Sequence, residues 1–291
     1  MKITNKNNLP LPVYEALLWD PEYIPVEKRY SVSDLLAPIQ ETILKRKHWG
    51  EIEEDASGMI WALFGQGVHA ALEGGVFDKE GKIKSHVLFS EKKWEYDFGG
   101  CTVVGKADLV CKENGKIVLY DYKVTSVWGI VFNSQNEAWR RQLNLYNWLL
   151  YKCEGIKADR LRVFAIIRDW SKRRSIAEKD YPKSQTAVLD FPICKFEKIE
   201  KFVKEKLELL CAKKIIDCTE EEKWAKPDRW AVKKKGKKRA LRVLDSKEDA
   251  ERYIHNSGGG YIEFRKGENG KCANYCVAAP FCEQRRKENA G

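Results

Sequence analysis

The sequence predicts a mixed α/β fold, a central sheet flanked by helices, followed by a small C-terminal cysteine-bearing subdomain. Strand-like runs joined by tight-turn dipeptides lie between helix-like apolar stripes, the pattern of a mixed sheet. The 291 residues, 43% of them hydrophobic, suffice for a well-packed domain with an appendage. Three of the nine cysteines crowd the C-terminal end, outside that alternation.

In order, residues 1–30 carry several prolines and little periodicity, and read as an extended N-terminal lead-in. A core follows over 31–215. Residues 31–47 read as a helix starting near Ser33. Residues 57–73 read as a second, with Ile60, Phe64, Val68 and Leu72 forming one stripe. Strands over 87–98 and 102–111 are separated by Gly99 and Gly100. Asn114 and Gly115 turn the chain into a third strand, 117–124. Ser134 and Glu137 have the spacing of a capping box opening a long helix to about Lys152. Residues 161–168 read as a strand. Residues 195–214 form an amphipathic helix with Phe196, Ile199, Val203, Leu207 and Leu210 inward. Residues 216–291 are the small subdomain: a hairpin over 230–244, a short helix over 246–256 and a strand over 261–265.

The formal charge is +10, from 53 basic and 43 acidic residues. Such an excess suits an anionic partner, nucleic acid first. No window approaches 18 consecutive apolar residues, which argues against a membrane helix and membrane partners. Met1 to Pro12 lacks the apolar stretch of a signal peptide, so the expected location is intracellular. There, nine cysteines argue against a disulfide framework. The C-x₃-C-x₅-C cluster of Cys272, Cys276 and Cys282 points instead to a metal.

The chemistry centres on Asp121-Tyr122-Lys123 at a strand end, with Asp108 on the neighbouring strand. Alternation puts Asp121 and Lys123 on one face, and antiparallel pairing through the Asn114-Gly115 turn brings Asp108 beside Asp121. Two adjacent carboxylates repel and are costly to desolvate. A divalent cation removes that cost, and oxygen ligands suit Mg²⁺ or Mn²⁺. D-x-K alone is common by chance. Gly65-Gln66-Gly67-Val68-His69 on the preceding helix adds a candidate ligand, His69. Gln142 and Tyr146, four apart, share a face of the following helix.

Together these residues form the series G-x-x-x-H, G-x-x-D (Gly105 to Asp108), D-x-K and Q-x-x-x-Y. The series resembles that of RecB-like nucleases in the PD-(D/E)XK superfamily, over roughly residues 31–168. The resemblance implies a restriction-endonuclease-like core. It implies metal ligands at His69, Asp108, Asp121 and the backbone carbonyl of Tyr122. It makes Lys123 the catalytic lysine, with Gln142 and Tyr146 bracing the site or touching the DNA backbone. Some relatives add a glutamate on the first strand, and Glu91 and Glu95 are both candidates. The nearest resemblance is to phage-encoded and CRISPR-associated exonucleases. It implies a cytoplasmic enzyme of a bacterial or phage-infected cell, acting on single-stranded DNA or DNA ends beside recombination or replication proteins. A catalytically silent module that binds DNA ends is the alternative. Oligomeric state is not legible.

Those relatives often hold a 4Fe–4S cluster on one N-terminal and three C-terminal cysteines. Here Ala37 precedes Pro38 where the N-terminal cysteine usually stands. Cys218 is then the candidate fourth ligand with Cys272, Cys276 and Cys282, for a 4Fe–4S cluster or alternatively Zn²⁺. The basic run Lys233, Lys234, Lys235, Lys237, Lys238 and Arg239 reads as a phosphate clamp, with Trp224 and Trp230 nearby to stack on bases.

Overall fold

Two tight turns organise the sheet. Gly99 and Gly100 (φ +61° and +76°) and Asn114 and Gly115 (φ +50° and +76°) adopt the left-handed conformations that two-residue hairpin turns require. The computed structural model describes residues 1–18 and 24–290. The stretch of the lead-in over 19–23 lies outside the described residues. The chain folds as two compact units, 1–42 with 49–214, and 43–48 with 215–291.

The first unit runs β1 (Lys2–Thr4), α1 (Leu11–Leu18), β2 (Arg29–Ser31), α2 (Val32–Leu36), α3 (Ile39–Lys47, shared with the second unit), β3 (Glu53–Asp55), α4 (Ile60–Gly74), β4 (Val87–Phe98), β5 (Cys101–Glu113), β6 (Lys116–Thr125), α5 (Val127–Val131), α6 (Asn136–Glu154), β7 (Arg160–Ile167), α7 (Lys172–Ala177), β8 (Thr186–Phe191) and α8 (Phe196–Cys211). The six-stranded sheet has the order β2-β5-β6-β7-β8, with β4 on the other edge of β5. It is mixed: β2 is parallel to β5 and β7 to β6, and the other pairs are antiparallel. This is the restriction-endonuclease-like architecture, with helices flanking a mixed sheet. No described helix is long and apolar enough to cross a membrane.

Several local expectations need correction. The lead-in is not extended throughout, because α1 is helical and β1 pairs in parallel with β3. Pro12 sits in the first turn of α1, where a missing N–H costs nothing. The single helix expected over 31–47 is two. Ser31 caps α2 in a capping box with Asp34, and Pro38 forces Ala37 out of the helical region before α3 restarts the chain. The Ser134–Glu137 capping box does not form. Gln135 precedes α6 without a side-chain cap, and Glu137 instead bonds Arg140 and Arg141 at 2.7 and 2.8 Å. The apolar stripe of α4 is not core: Ile60 and Phe64 are exposed, as is Trp61.

The core lies between the sheet and α6, where Leu143, Leu145, Trp148, Leu149 and Leu150 are buried. Gly105 lets α6 approach β5. A Cβ there would come within 2.5 Å of Leu149 Cδ1, 3.0 Å of Val32 Cγ2 and 3.2 Å of Tyr146 Cδ1. Gly105→Ala is therefore expected to overpack the core and cost about 1–3 kcal/mol, read as a lower urea midpoint. An unchanged midpoint would show that α6 moves away freely.

In the second unit, α9 (Glu220–Lys223), β9 (Ala225–Lys226), β10 (Arg229–Lys233), β11 (Arg242–Leu244), α10 (Lys247–Ser257), β12 (Tyr261–Arg265), β13 (Glu268–Asn269), α11 (Gly270–Asn274) and α12 (Glu283–Ala290) follow in order. A three-stranded sheet, β11-β10-β12, contains the expected hairpin, with Trp230 opposite Leu244. Its buried apolar residues beyond position 214 are small: Ala231, Val232, Ala250, Ala278, Ala279 and Cys282.

Candidate active site

Strand register assembles the acidic centre. Leu109 pairs with Tyr120, which sets Asp108 opposite Asp121, both buried. The Tyr122 backbone N–H donates to Asp108 Oδ2, fixing one carboxylate oxygen. Asp121 and Lys123 share a face of β6, and Lys123 Nζ lies 2.7 Å from Asp121 Oδ2. That contact is an ion pair without hydrogen-bond alignment, since Asp121 Oδ2 is buried with no hydrogen-bond partner.

His69 reaches the centre from α4. Its Nδ1 lies 3.4 Å from Asp108 Oδ1 and 3.5 Å from Glu91 Oε1, and its Nε2 is 3.2 Å from the Tyr122 carbonyl oxygen. Ligand atoms of His69, Glu91 and Asp108 all lie within 4.8 Å of one another, a spacing able to hold a metal ion. Glu91 Oε1 is also buried from solvent. Its other oxygen pairs with Lys106 at 2.8 Å.

Between Glu91 and Glu95, the geometry selects Glu91. Ser90 pairs with Leu109 and Lys92 with Ala107, leaving Glu91 at φ +48° opposite Asp108. A non-glycine residue in that region is strained, and the twist aims its carboxylate at His69. Glu95 instead pairs with Arg29.

Hydrogen bonds to Asp108 and then Glu91 raise the His69 pKa to about 10, against the opposing effect of burial. The protonated imidazole partly offsets the charge of the carboxylates around it. Burial raises Asp121 to about 6; Lys123 opposes this and Asp108 adds to it. Burial also raises Tyr146, with Asp121 next in effect, which places that phenol beside the acids. Gln142 Nε2 donates to Tyr146 Oη at 2.9 Å. The whole motif series therefore converges, with Glu91 and Lys106 added. Gly65, by contrast, has no neighbour that a Cβ would meet.

The other predicted residues lie in the second unit. Burial, then the charges of Glu222, Cys272, Cys282 and Cys276, push the Cys218 thiol up to about 12; among the described residues, the ligand atoms that gather within 4.8 Å of one another are those of His69, Glu91 and Asp108, not the four sulfurs. Gln284 clasps the Cys218 backbone, accepting from its N–H at 2.8 Å and donating to its carbonyl at 2.9 Å. The Arg285 N–H donates to Cys282 Sγ at 3.4 Å. In the basic hairpin, Lys233 pairs with Glu263 at 2.8 Å, while Lys235, Lys237, Lys238 and Arg239 are exposed and Lys234 is half-buried. Trp224 is exposed beside Tyr275, and Trp230 packs on Phe264.

The family profile described as PD-(D/E)XK nuclease superfamily matches residues 38–283. No curated protein matches the sequence. Among solved structures, that of SSO0001 is similar at a TM-score of 0.44 and 17% identity, covering 68% of this chain and 84% of the other. A candidate exonuclease from Eubacterium rectale is similar at a TM-score of 0.39 and 13% identity, covering 73% and 90%.

Proposed function

The chain belongs to the PD-(D/E)XK nuclease superfamily, and from that premise we propose that it is a RecB-like exonuclease of the phage-encoded or CRISPR-associated type. Membership implies a metal-dependent nuclease with DNA as substrate and Mg²⁺ or Mn²⁺ as cofactor. The finer reading is hydrolysis from ends or on single strands, in recombination, repair or phage replication. The observation that carries it is the acidic centre, where His69, Glu91 and Asp108 gather within metal-binding range and Asp121 pairs with Lys123.

The donor set fits a hard divalent ion: carboxylates of Glu91, Asp108 and Asp121, the Tyr122 carbonyl and His69. Such an ion supplies Lewis acidity toward the scissile phosphate and lowers the pKa of water. Lys123 positions the attacking water and offsets the charge gathering on the phosphate oxygens. Asp121 holds Lys123 in place. Gln142 and Tyr146 brace the acids and face the DNA backbone.

Linear single-stranded, linear duplex and circular DNA, incubated with Mn²⁺, test the reading. The expected result is shortening of linear substrates with circles intact. Cut circles would make the enzyme an endonuclease. Binding of ends without cutting would make it a silent end-binding module.

In the second unit, Cys218, Cys272, Cys276 and Cys282 hold a 4Fe–4S cluster, with Zn²⁺ as the alternative. Support comes from the C-x₃-C-x₅-C spacing, the electrostatic influence of the other three sulfurs on Cys218 and the N–H donated to Cys282 sulfur. The hairpin is a phosphate clamp. Changing Lys234, Lys235, Lys237 and Lys238 to Ser should flatten the salt dependence of DNA binding, by roughly 0.7–0.9 in log–log slope per lost contact. An unchanged slope would make the hairpin solvated surface.

A further inference from the structure

Beside the acidic centre the first unit exposes four large aromatic rings. Trp61 and Phe64 on α4 are 59% and 44% exposed, and Trp128 and Phe132, on and just after α5, are 46% and 70% exposed. Buried aromatics in a folded domain are packing; an exposed set this size needs a partner. Trp61 and Phe64 meet edge to face at 6.2 Å. Trp128 and Phe132 stack nearly parallel, 5.4 Å apart at 16°, and offer flat faces.

Each ring pair has an arginine over one of its rings. Arg168 lies over Trp61 at 4.4 Å, and its backbone N–H donates to the Thr125 carbonyl at the end of β6. Arg174 lies over Trp128 at 5.3 Å while pairing with Glu178. Between Arg168 and Arg174 the chain also carries Lys172 and Arg173, against a single acid, Asp169. That acid accepts the Val127 N–H at 2.7 Å and so holds α5 in place. The patch therefore combines π faces with positive charge.

Its position links it to the site. Trp61 precedes His69 by eight residues in one helix, about 12 Å along its axis, and Thr125 follows Lys123 by two residues in one strand. A few nucleotides of extended strand span such distances.

We propose that Trp61, Phe64, Trp128 and Phe132, with Arg168 and Arg174, form a stacking ledge for the unpaired bases of a single strand whose phosphate lies at the acidic centre. This rests on the nuclease reading and specifies its substrate. Bases in a duplex bury their faces against one another, so a ledge of rings selects unpaired strands. The arginines add cation–π contact and phosphate neutralisation. Charge complementarity commits the patch to nucleic acid rather than to an apolar protein face.

The test measures binding of the full chain by fluorescence anisotropy in Ca²⁺, using labelled oligothymidylate and an abasic oligonucleotide of equal length. Wild type should bind oligothymidylate roughly 10-fold tighter or more than the abasic strand, and Trp61→Ala and Trp128→Ala should each lose roughly 10-fold on oligothymidylate alone. Trp61→Phe and Trp128→Phe should keep most of the affinity, which separates stacking from misfolding. Arg168→Ser should reduce the salt slope by roughly 0.7. Equal wild-type affinity for both strands, or alanine variants that bind like wild type, overturns the ledge. So does an alanine variant whose loss appears as dissociation of a dimer in sedimentation, since a second copy would then cover the patch. These readouts do not depend on cleavage, so failure of the ledge and failure of the nuclease reading are seen separately.

Discussion

Asp121→Asn is expected to abolish cleavage, by about 1,000-fold or more, and to make the metal-free protein more heat-stable. The two outcomes have one origin. Burial raises the Asp121 carboxyl from its ordinary 3.8 to about 6, with Asp108 reinforcing the shift and Lys123 opposing it. A folded-state pKa above the unfolded value means that the folded chain binds the proton more tightly. Stability of the metal-free protein therefore declines as pH rises from about 4 to about 6, and the penalty persists at neutral pH. The amide carries no charge to desolvate, so the variant should melt several degrees higher at pH 7 and lose the slope in that window. His69 adds a dependence of the same sign at higher pH. Its raised pKa, to about 10, stabilises the fold fully below its ordinary 6.5, and that stability is lost as pH rises through the raised value. Because the imidazolium must lose its proton to ligate, Mn²⁺ affinity should rise with pH across the neutral range. Calorimetry of wild type and Asp121→Asn at pH 4.5 and 7, with and without Mn²⁺, measures all of this. Equal melting temperatures for the two metal-free proteins at pH 7 would mean that Asp121 is not a strained anion awaiting a cation.

Sequence legibility followed the physics of each element. The strands carrying Asp108, Asp121 and Lys123 could be read because both turns need left-handed backbone and supply Gly or Asn for it. Period-two alternation then put the correct side chains on one face. Glu91 could not be separated from Glu95, because alternation presumes a regular strand and Glu91 departs from it at φ +48°. Only the pairing of its neighbours reveals which way it points. The stripe on α4 was legible as periodicity, but periodicity does not say what covers a stripe, and Ile60 and Phe64 are exposed. The Ser134 capping box failed for a competitive reason: two arginines one turn further on hold Glu137. The edge strand β8 was missed because its Thr186–Phe191 run is only half-buried and lacks a flanking turn dipeptide. Membership of the first site could be read because its motifs sit on regular elements. The proposed fourth cysteine, Cys218, lies 54 positions upstream of Cys272, a separation over which no local pattern says which sulfurs meet.

The proposed four-cysteine site underlies the second large effect, expected for Cys276→Ser. The unit formed by 43–48 and 215–291 has a thin core. Beyond position 214 its buried apolar side chains are alanines, one valine and one cysteine, and the packed cluster of Leu44, Ala278 and Cys282 includes Cys276 at its edge. Small cores of this kind seldom hold alone and are usually stapled by a metal or disulfides. The cysteines form no disulfides, and the staple proposed for this unit is a metal. Burial, followed by Glu222 and the other three sulfurs, pushes the Cys218 thiol up to about 12. Sulfurs held close together are costly to ionise without a cation and become favourable ligands with one. Binding of a structural metal to thiolates is worth about 10–16 kcal/mol in zinc-finger peptides, far above the margin of a small unit. Anaerobically purified wild type should be brown, with broad absorption near ~400 nm from thiolate-bound iron; a colourless protein with about one zinc per chain would select the alternative. Cys276→Ser should lose the metal and become protease-sensitive after about residue 215, while residues 49–214 resist digestion. Cys218→Ser should do the same if that cysteine is the fourth ligand. Full metal content in Cys218→Ser would remove it from the set, and freshly purified wild type with neither iron nor zinc would leave the unit held by its alanine core and ion pairs alone.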